Sequence, residues 1–232
     1  MFGRAPAICD LRFTICDSPI TSKNEIRKQI LARRDALSAA QRHALSERIT
    51  ARLLGLEAYR KARCVMAYMS FGSEFDTAGF IADLLAQGKL LVLPRVERGS
   101  RALGLHAVRD PGKQLEAGVW GIRQPRADAC PAVSSAEIGF VLVPGVAFTQ
   151  RCERLGYGGG YYDGFIRSLE APRPALVAAA FALQVVTELP MAETDQKIDR
   201  VVTEDAEYPR DTQPHHPASS RGTPPRERRG TN

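Results

Sequence analysis

The sequence predicts an α/β protein, with a three-layer, open, mainly parallel sheet carrying helices on both faces, entered through an N-terminal pair of helices. Three observations carry that expectation. Segments with the two-residue period of strands alternate with segments of helical period, the pattern of βα units. The run Ile138–Val143 (IGFVLV) contains no polar side chain, as a strand covered on both faces requires. The stretch Arg154–Asp163 (RLGYGGGYYD) stands between that run and a helix-like segment, the place where open sheets of this kind receive ligands.

The elements follow in order. Ser22-Lys23-Asn24-Glu25 fits a capping box, and Ile26, Ile30, Leu31 and Leu37 recur at helical spacing behind it. A second box, Ser38 to Gln41, opens a helix through Leu45, Ile49, Leu53 and Leu54. Strands are then expected over Cys64–Phe71 and Leu90–Val96, with a helix over Thr77–Gln87 between them that Gly88 ends. Ala102–Val108 reads as a weaker strand and Ile138–Val143 as a strong one. A helix over Tyr161–Leu169 and a strand within Leu176–Phe181 complete the pattern. Residues 21–205 are therefore expected to form one domain. Residues 1–20 show no clean period and are expected to be a disordered arm. Residues 206–232 hold five prolines and five arginines but no Leu, Ile, Val or Phe, so they are expected to be a disordered basic tail.

Composition narrows the function classes. The 232 residues are 44% hydrophobic and 25% charged, enough for a sizeable core. The longest apolar run, Ala175–Leu183, is far shorter than the roughly 18 residues of a membrane span. The first twenty residues carry Arg4, Asp10, Arg12 and Asp17 and lack the apolar core of an export signal. Cys9, Cys16, Cys64, Cys130 and Cys152 are scattered without a CxxC pair, which points to a reducing compartment and idle thiols. A cytoplasmic monomer without a membrane partner is expected. The net charge of +6 is confined to one segment, since Lys23–Arg63 carries 11 Lys+Arg against 4 Asp+Glu. With no aromatic RNA-binding motif beside it, a nucleic-acid partner is not expected.

The glycine loop suggests the chemistry. Bare backbone N–H groups beside a helix N-terminus suit phosphate oxygens. No Lys-Ser/Thr closes the loop as in a P-loop, and the dinucleotide fingerprint is missing. Asp163 adds a carboxylate of the kind that shares Mg²⁺ with nucleotide phosphates. A second carboxylate has three candidates in Glu193, Asp195 and Asp199. Lys23 and Arg27, four residues apart, project on one side of the first helix, where they could reach phosphates together. Each feature alone also fits a plain turn or a solvated face. No triad is apparent, because His43, His215 and His216 lie in a basic helix or the tail and His106 reads as structural.

Six motifs in this order resemble the 5-formyltetrahydrofolate cyclo-ligase (methenyltetrahydrofolate synthetase) family. They are Lys23-x-x-x-Arg27, Met69–Thr77, Trp120-Gly121-Ile122-x-x-Pro125, Val143–Phe148, RLGYGGGYYD and the closing Asp195-x-x-x-Asp199-x-Val201-Val202-Thr203-Glu204. The resemblance covers Lys23 to Asp205. It implies an enzyme that takes a reduced folate and ATP, with Mg²⁺, to 5,10-methenyltetrahydrofolate, ADP and phosphate. By the same match, Lys23 and Arg27 would hold ATP phosphates, and Arg154, Leu155, Gly156, Tyr157, Gly158, Gly159, Gly160, Tyr161 and Tyr162 would wrap the nucleotide. Asp163 and Asp195 fall on the family's magnesium positions, and Met69 and Glu74 on its folate-contacting positions. Tyr157, Tyr161 and Trp120 offer rings to pterin or adenine, although a core position for Trp120 fits its residue type equally well. Lys23, Arg27 and Arg154 are the catalytic candidates. Tyr157 stands where the family often has arginine, which removes a charge and leaves a ring. Two other readings compete: a sugar-phosphate or CoA enzyme on a similar sheet, and an RNA-binding scaffold using the basic segments.

Overall fold

The computed structural model describes residues 22–96, 99–100 and 102–210, so the expected arm at 1–20 and most of the expected tail lie outside it. The elements are α1 (Lys23–Asp35), α2 (Ala39–Gly55), α3 (Glu57–Lys61), β1 (Cys64–Met66), α4 (Ala78–Ala86), β2 (Leu90–Val96), β3 (Leu103–Val108), β4 (Leu115–Ala117), β5 (Arg123–Pro125), β6 (Phe140–Leu142), β7 (Ala147–Thr149), β8 (Arg154–Leu155), α5 (Tyr161–Arg167), β9 (Ala175–Ala179), β10 (Val185–Val186), β11 (Arg200–Val202) and β12 (Glu207–Pro209).

Seven strands form the central sheet in the order β12-β11-β9-β6-β1-β2-β3. The five inner strands are parallel, and each edge strand, β3 and β12, is antiparallel to its neighbour. Strand alternation divides the core into two layers, as period-2 geometry requires. Val65, Leu91, Phe140, Leu142, Val177 and Val202 face a layer built with Leu53 of α2, Tyr59 of α3 and Phe80 and Leu84 of α4. Met66, Val92, Val141, Leu176 and Val201 face the opposite layer, with Phe165 and Ile166 of α5. Helices thus cover both faces, as the sequence predicts, and no helix among the described residues is long and apolar enough to cross a membrane.

The structure differs from the sequence reading in three places. The strand expected over Cys64–Phe71 stops at Met66, with Ala67 N–H still bonded to the Val92 carbonyl, so Met69 and Glu74 lie in the turn beyond its carboxyl end. The glycine loop does not follow β6 directly. Between them β7 and β8 pair and, with β10, make a separate three-stranded sheet. The chain is also ordered past residue 205: β12 pairs with β11, Tyr208 packs against the α5 layer, and Arg200 binds Glu207 at 2.8 Å. An edge strand needs only one partner and tolerates a terminal proline such as Pro209, so the poverty of aliphatic residues does not prevent it.

The two N-terminal helices serve different cores. Ile26 and Ile30 of α1 pack on Val146, Ala147, Leu155 and Leu189, beside the small sheet, at about 1.5–3 kcal/mol for each fully buried side chain. That packing holds the basic side of α1 against the glycine loop. Ser22 caps α1 by accepting from Glu25 N–H at 3.2 Å, while the Glu25 carboxylate accepts from Gln29. The Ser38–Gln41 box of α2 is complete.

Candidate active site

The first turn of α1, the turn after β1 and the glycine loop converge beyond the carboxyl ends of β1 and β6. Lys23 Nζ donates to Asp195 Oδ2. Arg27 Nε donates to the Gly156 carbonyl at 2.8 Å, and its guanidinium lies 3.6 Å from where a Cβ on Gly158 would sit. The i, i+4 pair therefore does project on one side, with one side chain gripping the loop before β11 and the other the glycine loop. Leu155 places its side chain in the α1 core, leaving only its backbone to face the site. Gly158 and Gly160 adopt φ of 102° and 73°, and the stretch Tyr157–Gly160 is exposed. These are left-handed conformations that glycine adopts without strain.

Arg154 is 4% exposed. Its Nη2 donates to Asp163 Oδ1 at 2.7 Å and its Nη1 to the Pro144 carbonyl at 3.2 Å. Its Nε is buried without a hydrogen-bond partner among the described residues, and so is Tyr162 Oη. Buried polar groups in folded proteins are nearly always paired, so an orphan asks for a missing ligand or water. Both orphans belong to the glycine-loop motif. A Cβ at Gly156 would lie 2.8 Å from Arg154 Nη1. Gly156→Ala is accordingly expected to displace that guanidinium and lower kcat about tenfold or more, with the melting temperature little changed; wild-type kcat in the variant would count against the placement of Arg154.

Among the described residues, no hydrogen bond uses Oδ2 of Asp163 or Oδ1 of Asp195. Asp163 uses Oδ1 for Arg154 and for Gln196 N–H at 3.1 Å, and Asp195 uses Oδ2 for Lys23 and for Ala192 N–H at 2.6 Å. Burial works to raise the Asp195 pKa, but the Ala192 N–H and the Lys23 ammonium outweigh it and hold the group below its usual range. Hard carboxylate oxygens, one in the first turn of α5 and one on the loop before β11, fit a cation such as Mg²⁺, whose remaining positions would be filled by phosphates and water. No cluster of three or more acidic, histidine or cysteine ligands occurs among the described residues, so such an ion would depend on the nucleotide. Asp199 is committed elsewhere, accepting from Arg173 at 2.6 Å and Leu176 N–H at 2.9 Å where β9 begins. Glu193 is exposed. Of the three acids, only Asp195 is carried to Lys23.

Glu74 is 7% exposed. Its Oε1 accepts from Tyr157 Oη at 2.6 Å and its Oε2 from Phe71 N–H at 3.1 Å. Burial pushes its pKa up, against the pull of those two donors and of Arg34. It is not a solvated helix-start acid. Met69 is half-buried against the neighbouring core. Trp120 is 70% exposed, which excludes the core position. It stands at a left-handed φ of 59° with its ring edge-on to Tyr161 at 6.4 Å. Tyr157 stacks obliquely on Phe71 at 5.4 Å. His106 is structural, its Nδ1 lying 2.9 Å from the Cys130 carbonyl. The sequence reading passed over Arg34, which the structure buries beside Tyr157. The signal was its place seven residues after Arg27, on the same helical stripe.

The open α/β sheet thus carries two buried donors, Arg154 Nε and Tyr162 Oη, that have no partner among the described residues. The model of the 5-formyltetrahydrofolate cyclo-ligase family matches residues 19–204, and the chain belongs to that family. It is similar to the 5-formyltetrahydrofolate cyclo-ligase of Mus musculus, 28% identical over 80% of this chain and 95% of that protein. The same enzyme of Haemophilus influenzae is 30% identical over 75% and 92%. Among solved structures, the 5,10-methenyltetrahydrofolate synthetase of Aquifex aeolicus superposes with a TM-score of 0.72 at 29% identity, covering 87% of this chain and 99% of that one.

Proposed function

We propose that the protein converts 5-formyltetrahydrofolate and ATP into 5,10-methenyltetrahydrofolate, ADP and phosphate in the presence of Mg²⁺. The observation that carries this reading is the pair of orphaned donors, Arg154 Nε and Tyr162 Oη, inside a glycine loop. Two unpaired donors favour a ligand rich in acceptor oxygens, as a polyphosphate is. Family membership supports the folate half.

The chemistry needs little from the protein beyond alignment. A formyl oxygen leaves poorly as hydroxide. When that oxygen attacks the γ-phosphorus of ATP, the bond to ADP breaks and the oxygen becomes a phosphate ester. The anilino nitrogen of the substrate then bonds to the formyl carbon and gives up its proton, and phosphate departs with the former formyl oxygen. The nucleophiles belong to the substrates, so an activated serine or cysteine is not required. Lys23, Arg27 and Arg154 would orient the phosphates and neutralise charge as the phosphoryl group moves. Asp163 and Asp195 would hold Mg²⁺, which would supply neutralisation of phosphate charge. Glu74 would accept from the amino and ring N–H groups of the pterin, with Met69, Trp120, Tyr157 and Tyr161 lining it.

The test is to mix purified protein with 5-formyltetrahydrofolate, ATP and Mg²⁺ and follow methenyltetrahydrofolate by absorbance, omitting each component in turn. Product only in the complete mixture is expected; product without ATP, or none from folded protein, overturns the reading. Lys23→Ala is expected to raise KM for ATP about tenfold or more with KM for folate unchanged. An unchanged ATP KM would favour a phosphate enzyme of another kind.

A further inference from the structure

Arg34 is 3% exposed, yet among the described residues it touches no carboxylate directly. Its Nε donates to Ser73 Oγ at 2.9 Å, and Ser73 Oγ in turn donates to Asp35 Oδ1. Its Nη2 donates to Tyr157 Oη at 2.9 Å, and Tyr157 Oη donates to Glu74 Oε1 at 2.6 Å. The guanidinium thus has two countercharges, each one hydroxyl away. A buried cation is costly unless paired, and this one is paired only through the hydroxyls that flank Glu74. Its Cζ also lies 5.9 Å from the centre of the Tyr157 ring, which rests on Phe71. Three separate segments, α1, the turn after β1 and the glycine loop, are therefore tied by one side chain.

We propose that Arg34 is a positioning and specificity-determining residue for the reduced-folate pocket. It acts through Tyr157, whose hydroxyl it orients so that the proton points at Glu74 Oε1. With Phe71 N–H on Oε2, both carboxylate oxygens are held in one plane, and their remaining lone pairs face paired N–H donors of a pterin. The planar fork matters as much as the charge, because Ser73 and Tyr157 are engaged by different nitrogens of it. This rests on the reading of Glu74 as the folate contact.

The test uses full-length protein for which wild-type turnover of 5-formyltetrahydrofolate has first been demonstrated, so that failure of that reading is seen separately. Arg34→Met and Tyr157→Phe are each expected to raise KM for 5-formyltetrahydrofolate about tenfold or more, the range for a charge-assisted hydrogen bond, and by a clearly larger factor than KM for ATP. The double variant is expected to be no worse than Arg34→Met, because the two residues act in series. Arg34→Lys is expected to restore the melting temperature of Arg34→Met without restoring folate KM. If Arg34→Met does not fold, Tyr157→Phe and Arg34→Lys carry the test alone. Folate and ATP KM values that rise by the same factor, multiplying effects in the double variant, or full recovery of folate KM by lysine would overturn the proposal.

Discussion

Arg154→Met is expected to lower kcat about a thousandfold or more, the scale on which a cationic side chain at a transferring phosphoryl group acts. Methionine fills much of the same volume and removes all five N–H donors. The native side chain divides those donors in an informative way. One end binds Asp163 Oδ1 and the Pro144 carbonyl, fixing the group, and buried Nε has no partner among the described residues. A purely structural arginine would have been paired throughout, since an unpaired buried donor costs about 1–3 kcal/mol. The stability cost is expected to fall below the roughly 3–5 kcal/mol of breaking a fully buried ion pair, because the Asp163 side chain is 23% exposed and retains Gln196 N–H. Turnover at saturating substrates, read beside a thermal melt, separates the two effects. A folded variant within tenfold of wild-type kcat would rule out the catalytic placement.

The parallel sheet was legible because its strands carry their environment in their composition: Phe140, Val141, Leu142 and Val143 are all apolar since both faces are covered. The small sheet was not. β8 and β10 have two residues each, too few to show any period, and they exist because β7 lies between them. Candidate residues on distinctive backbone, such as Gly158, or at fixed helical spacing, such as Lys23 and Arg27, could be singled out from sequence, and the structure brings them together. Arg34 differed from Arg33 beside it only in its place seven residues after Arg27, and tertiary packing decides that Arg34 is buried and Arg33 exposed. The choice between Asp195 and Asp199 was open for the same reason: tertiary packing brings Asp195 to Lys23 and Asp199 to Arg173 and Leu176 N–H.

Glu74→Gln separates folate recognition from stability through the opposite demands the two make on this carboxylate. Its loss is expected to lower kcat/KM for 5-formyltetrahydrofolate about a hundredfold or more, because an amide opposes a donor to one of the N–H groups the carboxylate would accept; KM for ATP is expected to hold. The stability effect has a sign that pH reveals. Burial raises the Glu74 pKa above its ordinary value of 4.5, so between that value and the raised one the native state keeps a proton that the unfolded chain has released. Native stability contributed by this group therefore falls as pH rises through the window and stays at the lower level above it. Glutamine has no such step, and its mismatch with Tyr157 Oη or Phe71 N–H is a pH-independent offset. The melting temperature of the variant minus that of wild type is thus expected to increase as pH rises from about 4.5 and then level off. A difference that decreased with pH would mean that Glu74 is stabilised as a carboxylate by its neighbours, an ordinary structural acid. The expected sign instead identifies a carboxyl group whose ionised form is buried at the expense of stability, which a folding role alone does not explain and a pair of pterin N–H donors would.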